Sequence, residues 1–189
     1  MSILERSDFR KQLLSAMESN VEGKPVLLVM SGVSGSGKST ILEENTPLLE
    51  SFGFEILNAR DIQISLWTQD NHQDKLRFSD TAYKKYYDMA EKEIEKRATA
   101  LLQEGKNVLV DSAYNTRIKR DKMYRQGVKA GAFVVCCVCR AEYGIAMARN
   151  VMRGDEAVLQ GRIYSMCQSI QYPSKEHAEV HDVVLNLVM

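Results

Sequence analysis

A buried strand that leads directly into a glycine-rich loop constrains this chain more than any other feature. The apolar residues 26–30 are followed by Gly32-Val-Ser-Gly-Ser-Gly-Lys-Ser39, which has the spacing G-x-x-x-x-G-K-[ST]. Glycines allow positive φ, and they let main-chain amides and a helix N-terminus approach a polyphosphate closely. The pattern therefore predicts a strand, a loop and a helix that together bind a nucleoside triphosphate. A glycine-rich turn without a ligand is the alternative.

The residues of this loop have separate expected roles. Lys38 would reach the β- and γ-phosphates, and the Ser39 hydroxyl would ligate Mg²⁺. We expect the triphosphate to be surrounded by main-chain and side-chain donors of Gly32, Ser34, Gly35, Ser36, Gly37, Lys38, Ser39 and Thr40.

Strands alternate with helices along the chain, which predicts parallel pairing through right-handed crossovers. We expect strands at residues 26–31, 55–59, 107–111, 132–139 and 180–188, and a polar surface stretch at 68–75. We expect helices at 3–19, from Ser39 until Pro47 ends or kinks it, at 80–104 after an N-cap at Ser79, at 117–129 after Thr116, at 142–151 and at 157–170. The sequence thus predicts one three-layer α/β P-loop domain over residues 1–189, with a mostly parallel sheet.

Composition narrows the possible partners and the compartment. The chain has 25 basic and 25 acidic residues, so no overall field draws it to nucleic acid or membrane. Neither a signal-peptide pattern nor an apolar run of roughly 20 residues is present, so we expect a cytoplasmic protein without membrane contact. Cysteines 136, 137 and 139 lie in one apolar run, which favours reduced thiols in a strand, with Cys136 facing opposite to the other two.

Polar residues follow the predicted strands at the edge where open parallel sheets bind ligands. Asp111 ends the apolar run Val108–Val110 and has the Walker-B form, typical of a carboxylate that holds Mg²⁺ through water or orients an acceptor. A helix cap is the alternative. Asp61, just past the second strand, is the candidate general base that would accept the proton of an acceptor hydroxyl. A solvated loop carboxylate or an N-cap would also explain it.

Further candidates lie on the acceptor side and near a helix end. Ser112 and Asn115 follow the third strand, and Arg117 and Arg120 could contact acceptor phosphates, although a solvated basic helix face explains these arginines equally well. One helical face would present Arg149 and Arg153 to the transferring phosphoryl group, with a solvated stripe as the alternative. The tyrosines at 83, 86 and 87 are expected mostly in the core, although one could stack on a base.

Taken in order, these motifs resemble the P-loop kinases of polynucleotide 5′-hydroxyl kinase type over residues 26–170. Phage kinases of hydroxymethylated pyrimidines in DNA are similar. The specific segments are Val108-Leu-Val-Asp-Ser112 with Asn115, and Arg149-Asn-Val-Met-Arg153-Gly154. The resemblance implies an ATP donor, Mg²⁺ and a nucleic-acid or nucleotide acceptor. It also implies that Asp61 is the general base and that a helical lid at about 149–157 brings both arginines to the donor phosphates.

The chain departs from the family pattern at two places. The family arginine three residues after the general base corresponds to Ile64 here, and a one-residue shift would align Arg60 with the family aspartate. No D-x-D-G-T motif is present, so no 3′-phosphatase activity is expected. The acceptor stays open among a 5′-hydroxyl end, a hydroxymethylated base and a small metabolite or nucleoside. The sequence is also compatible with a toxin kinase and with a switch ATPase that has no acceptor.

Overall fold

The computed structural model describes residues 9–72, 76–77, 80–154, 157–173 and 183–188. The strands in these ranges are β1 (Val26–Ser31), β2 (Phe54–Asn58), β3 (Asn107–Asp111), β4 (Phe133–Arg140) and β5 (Val183–Val188). The helices are α1 (Phe9–Ser19), α2 (Lys38–Glu44), α3 (Thr46–Ser51), α4 (Ala59–Asn71), α5 (Tyr83–Gln103), α6 (Arg117–Lys129), α7 (Tyr143–Val151) and α8 (Gln160–Ser169).

The strands form one parallel sheet in the order β2-β3-β1-β4-β5. The central strand β1 pairs with β4 from Val26 opposite Phe133 to Ser31 opposite Val138. Chain order reverses on the two sides of β1, which opens a crevice at the carboxyl edge of the sheet. The predicted three-layer α/β fold is confirmed, with all observed pairs parallel.

Helices cover both faces because successive side chains of β1 point in opposite directions. Leu28 and Met30 pack in one cluster with residues of α1, α2 and α3. Leu27 and Val29 pack in the other cluster, against α4, α5 and α6. Cys137 and Cys139 belong to the first cluster as predicted, and the cysteines in the described ranges are free thiols.

The structure corrects the expected course of the chain after β2. The stretch predicted as a surface crossing from residue 68 is the last turn of α4 as far as Asn71, and residues 73–75 lie outside the described ranges. The side chain of Asn58 accepts hydrogen bonds from the amides of Arg60 and Asp61, which caps α4 at its N-terminus. The N-cap and the burial of Ile62 therefore stabilise a helix in this segment, although its C-terminal end is polar.

Helix boundaries shift at three further places. Pro47 lies in the first turn of the new helix α3, where a missing amide donor is harmless. Helix α2 begins at Lys38, one residue before the expected Ser39. Helix α5 begins at Tyr83, three residues late, and Ser79 lies outside the described ranges.

Other expected bounds agree within three residues at the described ends. The residues before Phe9 and those at 180–182 are outside the described ranges. None of the helices within these ranges combines the length and the apolar character needed to cross a bilayer.

We predict that Gly127→Leu destabilises the protein while Gly161→Leu does not. A Cβ at Gly127 would lie 2.7 Å from Val134 Cγ2 and 2.9 Å from Leu27 Cδ2, where α6 meets the sheet. Overpacking of this kind lowers the free energy of unfolding by about 1–3 kcal/mol. The control glycine has no atom within 4 Å of an added Cβ. Urea unfolding compares the two variants, and equal midpoints would contradict the packing described for α6.

Candidate functional site

The loop after β1 is packed too closely for side chains at two of its glycines. A Cβ at Gly32 (φ 148°) would lie 2.5 Å from the carbonyl oxygen of Cys139, at the end of β4. A Cβ at Gly35 (φ 82°) would lie 2.4 Å from the carbonyl oxygen of Ala146 in α7. Gly37 has φ 90° and is the N-cap of α2, whose first turn receives no side-chain cap. The loop therefore presents main-chain amides to an anion, as P-loops do.

Lys38 lies across this loop. Its Nζ donates to the carbonyl oxygens of Gly32 at 2.9 Å and Val33 at 3.0 Å. Burial lowers the pKa of Lys38, and the negative charge of Asp111 opposes that change. Ser36 Oγ is buried and has no hydrogen-bond partner among the described residues. A partly buried amine and an unpaired hydroxyl in one loop fit a ligand rich in oxygen atoms.

The carboxylates of the site are positioned by one amide side chain. Asn58 Nδ2, at the end of β2, donates to Asp111 Oδ2 at 3.0 Å. Asn58 Oδ1 accepts from the amides of Arg60 at 2.8 Å and Asp61 at 3.1 Å. Burial raises the pKa of Asp111, the charge of Lys38 lowers it and the charge of Asp61 raises it further. These ionisable groups therefore sense one another at the carboxyl edge of the sheet.

The arginines of α7 and of the turn after it face the loop. Arg149 Nη1 donates to the carbonyl oxygen of Gly35 at 3.4 Å, and Arg153 Nη1 donates to Ser34 Oγ at 3.2 Å. The arginine segment predicted from the sequence therefore lies over the loop.

A residue within the arginine segment and a residue after it hold helices α7 and α8 together. The buried Asn150 donates to the carbonyl oxygen of Val158 at 2.8 Å and accepts from its amide at 2.9 Å. Val158 and Ile163 pack with Val33 of the loop and Ala146. The two helices thus form one unit, here called the lid, that rests on the loop.

These elements enclose a cleft of about 520 Å³. The structure brings together on its wall eight residues predicted as site residues: Ser34, Lys38, Ser39, Asp61, Asp111, Ser112, Asn115 and Arg153. Ser112 Oγ donates to Glu91 Oε1 at 3.0 Å, and this hydrogen bond to α5 orients the serine side chain. Arg149 reaches the loop from outside this wall, and Thr40 is exposed in the first turn of α2.

Two predicted acceptor contacts lie elsewhere. Arg120 is 0% exposed and donates to the carbonyl oxygen of Tyr114 at 3.2 Å, because the inward stripe of α6 passes through it. Arg117 lies 3.4 Å from the carboxylate of Asp121. Neither arginine is among the described residues that line the cleft, whereas Lys119 of the same helix is. The sequence placed the cations on one helix but did not show which of them lie on the cleft side.

The sequence analysis gave no site role to Gln63 or Arg162. Both line the cleft, together with Arg60, Tyr83 and Tyr87. The two tyrosines were expected mostly in the core, and Arg162 carried no signal in the sequence. Asn58 lines it too, and its position three residues before Asp61 could have revealed it as a helix cap.

A magnesium ion fits the donors present at the loop. Ser39 Oγ and an Asp111 carboxylate oxygen would hold it, and both are the hard oxygen ligands that Mg²⁺ prefers. No group of three or more His, Cys, Asp or Glu side chains suited to a metal occurs in the described part of the chain. The donor set therefore suits an ion whose remaining ligands are phosphate oxygens and water.

The chain is similar to known proteins in sequence pattern and in fold. The family described as AAA domain matches residues 27–173. A proposed kinase from Chloroflexus aurantiacus superposes with a TM-score of 0.67 at 14% identity, over 87% of this chain and 85% of that one. The APS kinase CysC of Mycobacterium tuberculosis, in complex with AMPPNP and APS, gives 0.57 at 18% identity, over 86% and 88%.

A chain of the Pnkp1/Rnl/Hen1 RNA repair complex gives a TM-score of 0.62 at 21% identity. The match covers 82% of this chain and 46% of that one. No curated protein sequence matches the chain. Identities this low establish the fold alone.

We predict that Gly35→Ala weakens nucleotide binding by at least about tenfold, whereas Gly131→Ala leaves it unchanged. Both glycines have positive φ, 82° and 75°, so both substitutions carry similar backbone strain. Only Gly35 has a neighbour in the way of a Cβ, the carbonyl oxygen of Ala146 in the lid. Titration with a fluorescent ATP analogue measures the affinities. An equal effect of both substitutions would show that the loop–lid contact is unimportant.

The pH dependence of Asp111→Asn follows from the raised pKa of this carboxyl. Because the folded-state pKa lies above the usual value of about 4, the protonated carboxyl stabilises the folded protein at low pH. This stabilisation is lost as the pH rises from about 4 through the raised pKa. Asparagine does not titrate. The free energy of unfolding of the variant minus that of the parent should therefore increase between pH 4 and pH 8 without nucleotide. Urea unfolding across this range checks the slope, and a decrease would contradict it.

Proposed function

We propose that this chain, which belongs to the AAA domain family, transfers the γ-phosphoryl group of ATP to a hydroxyl of a nucleic acid or nucleotide. The observation that carries the proposal is the placement of Asp61 on the wall of the same cleft as Lys38 and Arg153. A loop that only binds ATP needs no such carboxylate. A kinase needs a proton acceptor at the hydroxyl that attacks.

On the donor side, the main-chain amides of the loop and Lys38 would bind the β- and γ-phosphates. Lys38 would exchange the carbonyl oxygens of Gly32 and Val33 for phosphate oxygens, which compensate a buried ammonium better. Mg²⁺, when bound at Ser39 and Asp111, would neutralise part of the charge that develops on the phosphates.

On the acceptor side, Asp61 would take the proton of the hydroxyl as its oxygen attacks the γ-phosphorus. The new phosphorus–oxygen bond forms while the bond to the β-phosphate oxygen breaks, and ADP leaves with the electron pair. Asp61 suits this task because it lies in the first turn of α4, fixed by Asn58, and is exposed to the cleft. The backbone of Asp61 is therefore held in place by the residue that ends β2.

The arginines of the lid would stabilise the transferring group. Arg149 and Arg153 already contact the loop through Gly35 and Ser34, at the place where the phosphates would lie. Each contact is long and is made to a neutral oxygen, which phosphate oxygens would replace with stronger partners. We propose that the segment predicted at about residues 149–157, of which 155 and 156 lie outside the described ranges, is the part of the lid that commits the donor to transfer.

Two of the solved structures that share the fold involve nucleotides. One is a kinase in complex with AMPPNP and APS, and the other is a chain of an RNA repair complex. The fold is therefore used with a small nucleotide and in RNA repair, and the chemistry proposed for Asp61 would be the same with either acceptor.

We predict that Asp61→Asn lowers transfer to the acceptor by roughly 10²–10⁴-fold and leaves ATP affinity within about twofold, because only the general base is lost. Transfer of labelled γ-phosphate is measured to 5′-hydroxyl oligonucleotides, hydroxymethylated DNA, nucleotides and small metabolites. Asp70→Asn is the matched control, since Asp70 lies in the last turns of α4 and outside the cleft wall.

Two results would count against the kinase proposal. One is transfer that survives in Asp61→Asn at the parental rate. The other is a parent protein that only hydrolyses ATP, whatever hydroxyl compound is offered, which would favour a nucleotide-dependent switch.

A further inference from the structure

We propose that Gln171 is a positioning residue that fixes the end of the lid to the wall of the cleft and thereby sets where Arg149 and Arg153 act. Gln171 lies just after the end of α8 and binds the segment between β3 and α6. Gln171 and its partners Asn115 and Arg117 are here called the latch. The inference rests on the proposed function, because it concerns the lid arginines, and it adds the residue that holds them in place.

Two hydrogen bonds form the latch. The backbone amide of Gln171 donates to the carbonyl oxygen of Asn115 at 2.9 Å. The side-chain Oε1 of Gln171 accepts from the backbone amide of Arg117 at 2.9 Å. Arg117 begins α6, and among the described residues the N-cap Thr116 makes no side-chain capping bond. Gln171 therefore binds one of the free amides at the start of α6, which a capping side chain would otherwise bind.

The segment that receives the latch is held by the rest of the domain. The carbonyl oxygen of Tyr114, directly before Asn115, accepts from the Ser31 hydroxyl at 2.7 Å and from Arg120 Nη1 at 3.2 Å. Ser31 and Arg120 are both fully buried. Ser31 ends β1 directly before the phosphate loop, and Arg120 lies on the inward side of α6. The latch therefore joins the lid to a part of the chain that is fixed to the sheet.

The chain after α8 has the conformation needed to reach this segment. Ile170 has an extended backbone, with φ −64° and ψ 130°, and packs with the apolar residues of the lid. The ring of Tyr172 lies 4.1 Å from the guanidinium of Arg140, which ends β4, and such contacts are attractive. Pro173 is buried and restricts the residue before it to extended conformations. The lid is thus connected to the ends of two strands.

The two ends of the lid are held with different strength. Both hydrogen bonds of the latch are 2.9 Å long. At the arginine end the distances are 3.4 Å for Arg149 and 3.2 Å for Arg153, longer than the usual value of about 2.9–3.0 Å. Apolar packing on Val33 lies between them and has no preferred direction. The arginine end therefore adjusts when phosphates bind, and the latched end serves as its pivot.

The test compares Gln171→Ala with Gln171→Glu. Alanine removes the side-chain acceptor, whereas glutamate keeps an acceptor oxygen and adds a negative charge that a helix N-terminus favours. Affinities are measured with Mg²⁺ for ADP alone and for ADP with aluminium fluoride, which imitates the transferring phosphoryl group. We expect Gln171→Ala to weaken the aluminium fluoride complex by roughly tenfold and ADP by less than about twofold, because only the former needs well-placed arginines. Gln171→Glu should match the parent.

Two controls separate positioning from a general loss of stability. Gln168→Ala removes an exposed glutamine of α8 outside the latch and should leave both affinities unchanged. In a background that carries Arg149→Ala and Arg153→Ala, Gln171→Ala should cause no further loss, because the groups that the latch positions are gone. A merely structural role would give the same loss in both backgrounds. Urea unfolding confirms that each variant is folded.

Several results would overturn the proposal. Gln171→Ala might weaken neither complex or both equally in the assay, its effect could persist without the two arginines, or Gln171→Glu could lose as much as Gln171→Ala. A parent that binds the aluminium fluoride complex no more tightly than ADP would overturn it as well. Transfer of labelled γ-phosphate, measured in parallel, tests the kinase separately. The expected affinities without any transfer would uphold the latch and refute the kinase, and transfer that is insensitive to Gln171→Ala would do the reverse.

Discussion

The close approach of the phosphate loop to its neighbours is the constraint on which the site depends. Gly32 and Gly35 bring the loop backbone against the end of β4 and the middle of α7, where a single added carbon would collide with a carbonyl oxygen. Because the loop contacts both the sheet and the lid, its main-chain amides and the lid arginines are held in fixed positions relative to one another. The same contact explains why Arg149 and Arg153 reach the loop.

In the absence of ligands, the charged groups of the cleft lower the stability of the folded protein. Asp111 is buried and Lys38 is partly buried, and removal from water disfavours the charged form of each. Their mutual attraction offsets part of that penalty, and the hydrogen bond from Asn58 offsets more. Such a site is more stable with bound anions and cations than without them. The neutral chain thus concentrates its unfavourable charges where substrates can compensate them.

The local motifs of the fold could be predicted from the sequence, whereas the arrangement of side chains from separate helices around the cleft could not. The loop and the strand that ends at Asp111 depend on short-range patterns, so their structures were expected correctly. Tyr87, Lys119 and Arg162 come from three different helices, and no spacing in the sequence relates them. The expectation for Arg120 was wrong, because six cations lie on one helix and the sequence does not show which of them points inward.

The bonds between Asn150 and Val158 have a consequence for the order in which substrates act. They join the helix that presents Arg149 to the segment that leads into the helix of Arg162, so the two arginines belong to one body. Under the proposed function, a donor that holds Arg149 would also restrain the helix that carries Arg162 on the cleft wall. If an acceptor binds against that wall, each substrate would tighten the binding of the other by the same factor, because coupling between two sites is reciprocal. Such heterotropic cooperativity would restrict wasteful hydrolysis to the rare moments when water alone occupies the second half of the cleft.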